Sequence, residues 1–433
     1  MKKSLLFILL VFVCQLTMVA QNIDKKAWKN MYSAQKSMSK VYYPSDWQKV
    51  IKKLQKALVY APNHPFIIYN LGISYDAMGS LDANNYQKAI AYYRQFLASN
   101  PSDEDIKEVL GRIYRVELII QSMYGYSTAD VYVAGYEGKV ATLWKNGKKI
   151  PLSDGKHDAC AASVYVTDKN FYVAGYERNE KNYYVANLWK NGNVERLTDG
   201  RSHGNGNSVF VHNDNIYVAG FDDCPRVLWK NGKKQNISEF RHIYSVHISN
   251  GDIYLVGESH NLGAGLWKNG YFQTLTRVDD KRNSQATSVF VYGEDVYVAG
   301  YEGGFIGNPV ALLWKNGVPQ VLTTEEYYYD YHRPSDSKRA HSVFVSGNDV
   351  YVAGEGRKYG GESFAVLWKN GIPIHLSEIE SGAQSVYVLG ANVYVAGYIM
   401  NNKKKVAVMW INGRMQRLGS GNSESNALSI FVK

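Results

Sequence analysis

The sequence predicts a multidomain α plus all-β chain, with a helical region of about 100 residues followed by a seven-bladed β-propeller. Three observations carry that prediction. Leu143-Trp144-Lys145-Asn146-Gly147 returns in close copies at Trp189, Trp229, Trp267, Trp314, Trp368 and Trp410, with Leu or Ile eight residues after each Trp, from Leu152 to Leu418. A Tyr-Val-Ala-Gly-like segment precedes each copy and ends at Gly135, Gly175, Gly220, Gly257, Gly300, Gly354 and Gly397. A Ser-Val-Phe-Val-like segment precedes that one, starting at Ser163, Ser208, Ser245, Ser288, Ser342 and Ser385, and it appears once more at Ser429. Each internal Ser lies twelve residues before the next of these glycines. Self-similar units of roughly 40 residues, rich in β-branched and aromatic residues, describe an array of small sheets.

At the N-terminus, Lys2-Lys3, the apolar run Leu5 to Val13 and a cleavage site after Ala20 read as a secretory signal peptide over residues 1–20, which places the mature chain in the periplasm or outside the cell. The run is too short to span a bilayer, and no later segment is apolar enough to do so. Cys14 follows Val13, where a lipoprotein signal needs a small residue, so no lipid anchor is expected. Loss of Lys2 and Lys3 takes the formal net charge from +10 to +8, moderate for 433 residues. Cys160 and Cys224 remain, in an export route that permits disulfides; far apart in sequence, they read as unpaired.

Residues 22–121 are nearly free of glycine, rich in Lys, and periodic as helices are. Val50, Leu54, Ala57 and Pro62 fit a second-helix pattern, Leu71-Gly72 and Tyr75 a first helix, and Ala89, Tyr93, Phe96 and Pro101 the helix after it. Leu110-Gly111 and Tyr114 restart the pattern, which makes Asp103 to Ile120 an unpaired closing helix. In these residues the region resembles a tetratricopeptide array. The resemblance implies a concave groove for an extended peptide or partner helix, with Asn70 facing it. Between Lys25 and Lys56 stand nine Lys against Asp24 and Asp46, so the first hairpin either meets an acidic partner or presents a solvated face.

Residues 122–433 hold the repeats. In the second unit the strands are a from Ser163, b from Phe171, c from Ala186 and d from Val194. Val164 and Val166 alternate with Tyr165 as in a pleated strand. Asn or Asp stands before every strand b (Asp130, Asn170, Asn215, Asp252, Asp295, Asp349, Asn392) and predicts a turn joining a to b. The seven Asn-Gly pairs predict type I′ turns joining c to d. The first unit lacks a strand a, whereas the chain ends on an orphan one, Ser429 to Lys433; pairing that strand with Val131 onward closes the circle. Ser122 to Gly125 compete less well for the same place. The motif Ala-x-Leu-Trp-Lys-Asn-Gly with Leu eight residues past the Trp resembles the bacterial extracellular HAF-type repeat, a folding signature that implies no particular activity.

The a to b and c to d connections keep one length, while the other two vary. Glycine to Trp runs from nine residues to fourteen, and the end of strand d to the next Ser from eight to twenty. In a meander the two variable connections emerge on the same face, which is therefore the candidate binding face. Its longest loop carries Tyr327, Tyr328, Tyr329, Tyr331, His332 and Arg333, a composition suited to a sugar ring or a protein surface, or else to capping the propeller core. Arg226 replaces the Ala found three residues before Trp in the other units, through a loop shift at Pro225 or for a specific contact.

Acids follow strand b at Glu137, Glu177, Asp222, Glu258, Glu302 and Glu355, and His157, His203, His242 and His332 fall in separate d to a loops; no D-x-D-x-D-G loop accompanies them, and no metal site is expected. The seven Trp read as inter-blade core, not as sugar platforms, and the Lys that follows six of them as a rim that discourages edge pairing. Nucleic-acid binding finds no support. No S-x-D-x-G-x-x-W, H-E-x-x-H, G-x-S-x-G or phosphate-binding glycine loop is present, so no cofactor is expected and the chain reads as leaning away from catalysis. The functional expectation is a non-catalytic binding or scaffold protein of the bacterial envelope with a protein partner; a glycan-binding propeller stands second and a cryptic carbohydrate-active enzyme third.

Overall fold

The computed structural model describes residues 24–124, 129–224, 226–260, 263–276, 283–303, 309–322, 337–357 and 361–433. It divides into two compact units, Met1–Tyr124 and Gly125–Lys433. The signal-peptide segment lies outside the described residues.

The first unit contains five α-helices among its described residues: α1 (Lys25–Met38), α2 (Trp47–Tyr60), α3 (Pro65–Met78), α4 (Ala83–Leu97) and α5 (Asp103–Tyr124). Asp24 caps α1 by accepting from the backbone N–H of Lys26 and Ala27 at 2.7 and 3.2 Å, and Pro65 opens α3 where no intrahelical donor is needed. Met31, Ala34, Val50, Leu54, Ile67, Leu71, Ala89 and Tyr93 share one core. Gly72 has a packing reason: a Cβ there would stand 2.5 Å from the Tyr93 ring. Among the described residues, no helix is both long and apolar enough to cross a membrane.

The second unit is a seven-bladed β-propeller, each blade a four-stranded antiparallel sheet. Blade 1 pairs the C-terminal strand Ser425–Val432 with Val131–Glu137, so the last strand of the chain closes the circle. Asp130 and Lys433 exchange two backbone hydrogen bonds, at 2.6 and 2.9 Å, at the end of that ladder. Ser122 to Tyr124, the competing segment, are helical.

Every Asn-Gly turn has both φ angles positive, Asn at 47–53° and Gly at 75–100°, as type I′ requires. The Asn side chain gives the motif a second use. Its Oδ1 accepts from the backbone N–H that starts strand b, at 2.8–3.0 Å in all seven blades. Its Nδ2 donates to the Asp or Asn before that strand at 2.7–2.9 Å. Those Asp and Asn positions therefore lock the c to d turn to the start of strand b. Where they are Asp, the Lys after Trp completes the cluster: Lys145 to Asp130 at 2.8 Å, Lys268 to Asp252 at 2.8 Å, Lys315 to Asp295 at 2.7 Å and Lys369 to Asp349 at 3.0 Å.

Each Trp lies between blades. Trp144 packs on Ala396, Ala407 and Met409 of blade 7, and Trp189 on Ala134, Ala141 and Leu143 of blade 1. Burying seven such rings supplies much of the inter-blade stabilisation. At the axis, two closed rings of interactions run through the a strands. Each repeat Ser accepts, on Oγ, the backbone N–H of the residue after the corresponding Ser in the next blade, at 3.1–3.3 Å, through all seven blades. Two residues further along, Tyr165, Phe210, His247, Phe290, Phe344, Tyr387 and Phe431 meet neighbour to neighbour at 4.6–5.1 Å and form a girdle around the axis.

Candidate functional site

The candidate site arises from one irregularity repeated seven times. In each strand a, the pairing register with strand b slips at the residue just before the repeat Ser, leaving Ala162, Asn207, Tyr244, Thr287, His341, Gln384 and Leu428 unpaired as β-bulges. The strand b glycine makes room for the bulge. A Cβ on Gly135, Gly175, Gly220, Gly257, Gly300, Gly354 or Gly397 would run into a carbonyl oxygen of the bulged strand. The flanking positions keep one chemistry, small or apolar before and Ser after, while the bulged residue differs in almost every blade.

Five of the seven bulge residues, Asn207, Tyr244, Thr287, His341 and Gln384, line a cavity of about 400 Å³ together with Gln285, Tyr301 and Arg339. Its walls come from five successive blades, so it lies on the propeller axis. Strand a enters from the variable loops, and bulge residues precede the girdle along it; the cavity therefore sits on the variable-loop side. The polar walls belong to blades 3 to 7, and blades 1 and 2 contribute Leu428 and Ala162 at the bulge level.

The acids after strand b prove to be two sets. Glu137, Glu177, Asp222 and Glu302 stand two residues past the glycine, whereas Glu258 and Glu355 stand one residue past it, in the register held by Tyr136, Tyr176, Phe221, Tyr301 and Tyr398 elsewhere. A one-residue offset turns a side chain to the other face of a sheet. Glu137 and Asp222 accordingly pair with strand d lysines, Lys149 and Lys234, at 2.8 and 2.7 Å. Glu258 and Glu355 instead meet the residues of strand a beside the cavity. Glu258 accepts from Gln285 Nε2 at 3.2 Å and lies 3.5 Å from Arg241. Glu355 accepts from the Tyr398 hydroxyl at 3.3 Å and faces Arg339 at 3.6 Å and His341 Nε2 at 3.8 Å. Burial acts to raise the Glu355 pKa, but His341, Arg339 and Tyr398 outweigh it and hold the carboxyl at about 2. Burial, with Glu258 acting in the same sense, keeps the phenols of Tyr244 and Tyr301 protonated, although Arg339 works against it at Tyr301.

The residues singled out from sequence fare differently. Tyr327, Tyr328, Tyr329, Tyr331, His332 and Arg333 lie outside the described residues. Arg226 donates to the carbonyls of Asp223 and Cys224 at 3.3 and 3.2 Å, and to that of Arg241, and covers the Phe221 ring at 5.3 Å. It fastens the loop before strand c and is not among the cavity walls. Asn70 does not face a groove. It is 5% exposed and donates to Phe66 O within α3 at 2.8 Å, because its register on the helix turns it into the core. The histidines stay apart: His203 accepts from Tyr184 N at 3.1 Å, and His242 stacks 6.0 Å from Tyr244. No group of three metal-ligating side chains assembles among the described residues. Cys160 is buried and Cys224 exposed, both free, and burial pushes the Cys160 thiol up to about 12.

Sequence reasoning missed the cavity walls. The available signal was a position with no common chemistry enclosed between a small or apolar residue, Ala in five blades, and a constant Ser. Comparisons with known proteins leave the family open. No protein-family model matches and no curated protein matches. Among solved structures the chain is similar to a puromycin-hydrolyzing peptidase of Mycobacterium tuberculosis, at 12% identity and TM-score 0.45, over 67% of this chain and 53% of that one. It is also similar to a periplasmic gluconolactonase of Pseudomonas aeruginosa, at 11% identity and TM-score 0.39, over 70% of this chain and 98% of that one. The chain thus spans about half the length of the peptidase. Similarities this remote carry no argument about activity.

Proposed function

We propose that this chain is a non-catalytic binding protein of the bacterial envelope whose propeller holds a small polar ligand, of saccharide type, in the axial cavity. One observation carries the reading: in a scaffold that repeats its Trp, Asn-Gly and Ser positions seven times, the bulged position differs from blade to blade, and five of those residues converge on one cavity. Amides, hydroxyls and an imidazole around about 400 Å³ match the hydrogen-bonding pattern of a sugar ring. Export through the N-terminal signal, kinship with HAF-type repeats, and a tetratricopeptide-like arrangement of α1 to α5 that offers a protein partner a second surface belong to the same proposal. Close helix contacts at Gly72 support the last of these.

The test is a glycan array probed with the purified chain, followed by incubation of any captured polysaccharide with the protein. Binding that disappears when Thr287→Trp fills the cavity supports the proposal. Binding indifferent to that substitution sinks it, and shortened products would replace the non-catalytic reading with an enzymatic one.

A further inference from the structure

The cavity walls are unbalanced in charge. Among the described lining residues there is no carboxylate, and Arg339 carries the one permanent charge. Glu258 and Glu355 stand behind the walls: Gln285 donates to the first, with Arg241 beside it, and Tyr398 donates to the second, with Arg339 and His341 3.6 and 3.8 Å away. Tyr244 and Tyr301 present phenols that stay protonated. Thr287 Oγ1 lies 3.0 and 2.9 Å from the carbonyl oxygens of Ala299 and Ala340, so its one proton is shared within the protein and the hydroxyl is left to accept.

Arg339 is held without being consumed. Its guanidinium lies over the Tyr301 ring at 5.3 Å, and its contact with Glu355, at 3.6 Å, is longer than a charge-assisted hydrogen bond. The flat face is fixed by the ring, and the donor edges stay open to a planar anion. A carboxylate fits that fork in a bidentate fashion, as a compact hydroxyl does not.

Building on the axial-cavity reading, we infer that the ligand is a carboxylated saccharide, its uronate group seated on Arg339 and its ring hydroxyls on the amides and hydroxyls of blades 3, 5 and 7. Specificity then lies with the charge and affinity for the ring with the neutral walls. The neighbouring Glu355 holds Arg339 in place and stays ionised to about pH 2, so it repels a second anion and limits the cavity to one carboxylate.

The test compares trigalacturonate with its methyl ester by titration calorimetry on the full purified chain, beside an array of galacturonate, glucuronate, mannuronate and guluronate oligomers. The two trisaccharides share rings and hydroxyls and differ in charge. The acid of the preferred series should bind at least about tenfold more tightly than its ester, Arg339→Gln should bring the ratio near one, and Arg339→Lys should keep part of it. Equal binding of acid and ester overturns the charge selectivity and leaves a neutral-sugar site. Acid binding that survives Thr287→Trp, or Gln384→Trp if the first variant melts early, overturns the axial cavity itself. Silence of every uronate series on the array overturns the inference whatever the neutral sugars do.

Discussion

Replacing His247 with Phe should remove one pH-dependent contribution to the stability of the propeller. His247 occupies the place in the aromatic girdle that Phe or Tyr fills in the other six blades, with its ring 4.7 Å from Phe210 and 5.1 Å from Phe290. Burial there, and secondarily the nearby His212, lower its pKa from 6.5 to about 4. The native state thus holds the neutral ring, while the unfolded chain takes up a proton below about pH 6.5. The stabilisation is complete above pH 6.5 and is lost progressively as pH falls toward 4, below which both states are protonated. A shift of this size corresponds to roughly 3 kcal/mol at most, and about 2 kcal/mol is expected, since one edge of the ring keeps some contact with solvent. Urea unfolding of wild type and His247→Phe at pH 8 and pH 4.5 measures it. At pH 8 the two should agree within about 1 kcal/mol, because Phe fits a girdle already built of such rings. At pH 4.5 the variant should be more stable by about 2 kcal/mol. The difference between the two proteins cancels the remaining titrating groups, so a gap that does not change with pH refutes the argument.

Deleting residues 429–433 removes the ladder partners of Val131, Tyr132, Val133 and Ala134 and two bonds of the serine ring; the truncated chain should aggregate or lose cooperative melting, and an unchanged melting curve would rule out closure by the last strand. Gly300→Ala should cost about 2 kcal/mol or more, because its Cβ meets the Gln285 carbonyl, and should abolish ligand capture by straightening the bulge at Thr287, as denaturant titration and binding would report. Asn316→Ala removes the acceptor for Val296 N and places a less tolerant residue at φ 52°; a loss of about 1–2 kcal/mol is expected, against a negligible change for Lys181→Ala on an exposed loop.

Much of the propeller can be read in the sequence because its determinants are local. Asn146-Gly147 and its copies specify a turn through their own φ preferences, and the eight-residue step from Trp to Leu carries each unit from strand c to the end of d. Closure was legible too, since a lone strand a at Ser429 needs a partner. The bulges were not. Every blade has the extra residue, so no length difference betrays it, and Ala, Asn, Tyr, Thr, His, Gln and Leu at one position look like drift until they are seen to face one another. Glu258 and Glu355 were grouped with the other acids because proximity to a glycine ignores the alternation that sends odd and even residues apart. In the helical unit, the apolar spacing of α1 to α5 was visible, but the direction in which Asn70 points depends on packing between helices, which a single helix does not encode.

The bulge has a consequence for how such a chain changes over generations. A residue that takes no part in the ladder register can be exchanged without disturbing the strands, and the glycine opposite it and the serine beside it keep the geometry whatever the newcomer. Seven equivalent sockets around one axis can therefore be mutated one at a time, each altering what the cavity accepts while Trp, Asn-Gly and the serine ring go on folding the same molecule. Selection for a new ligand would act on single codons, with little penalty in stability to be repaired afterwards.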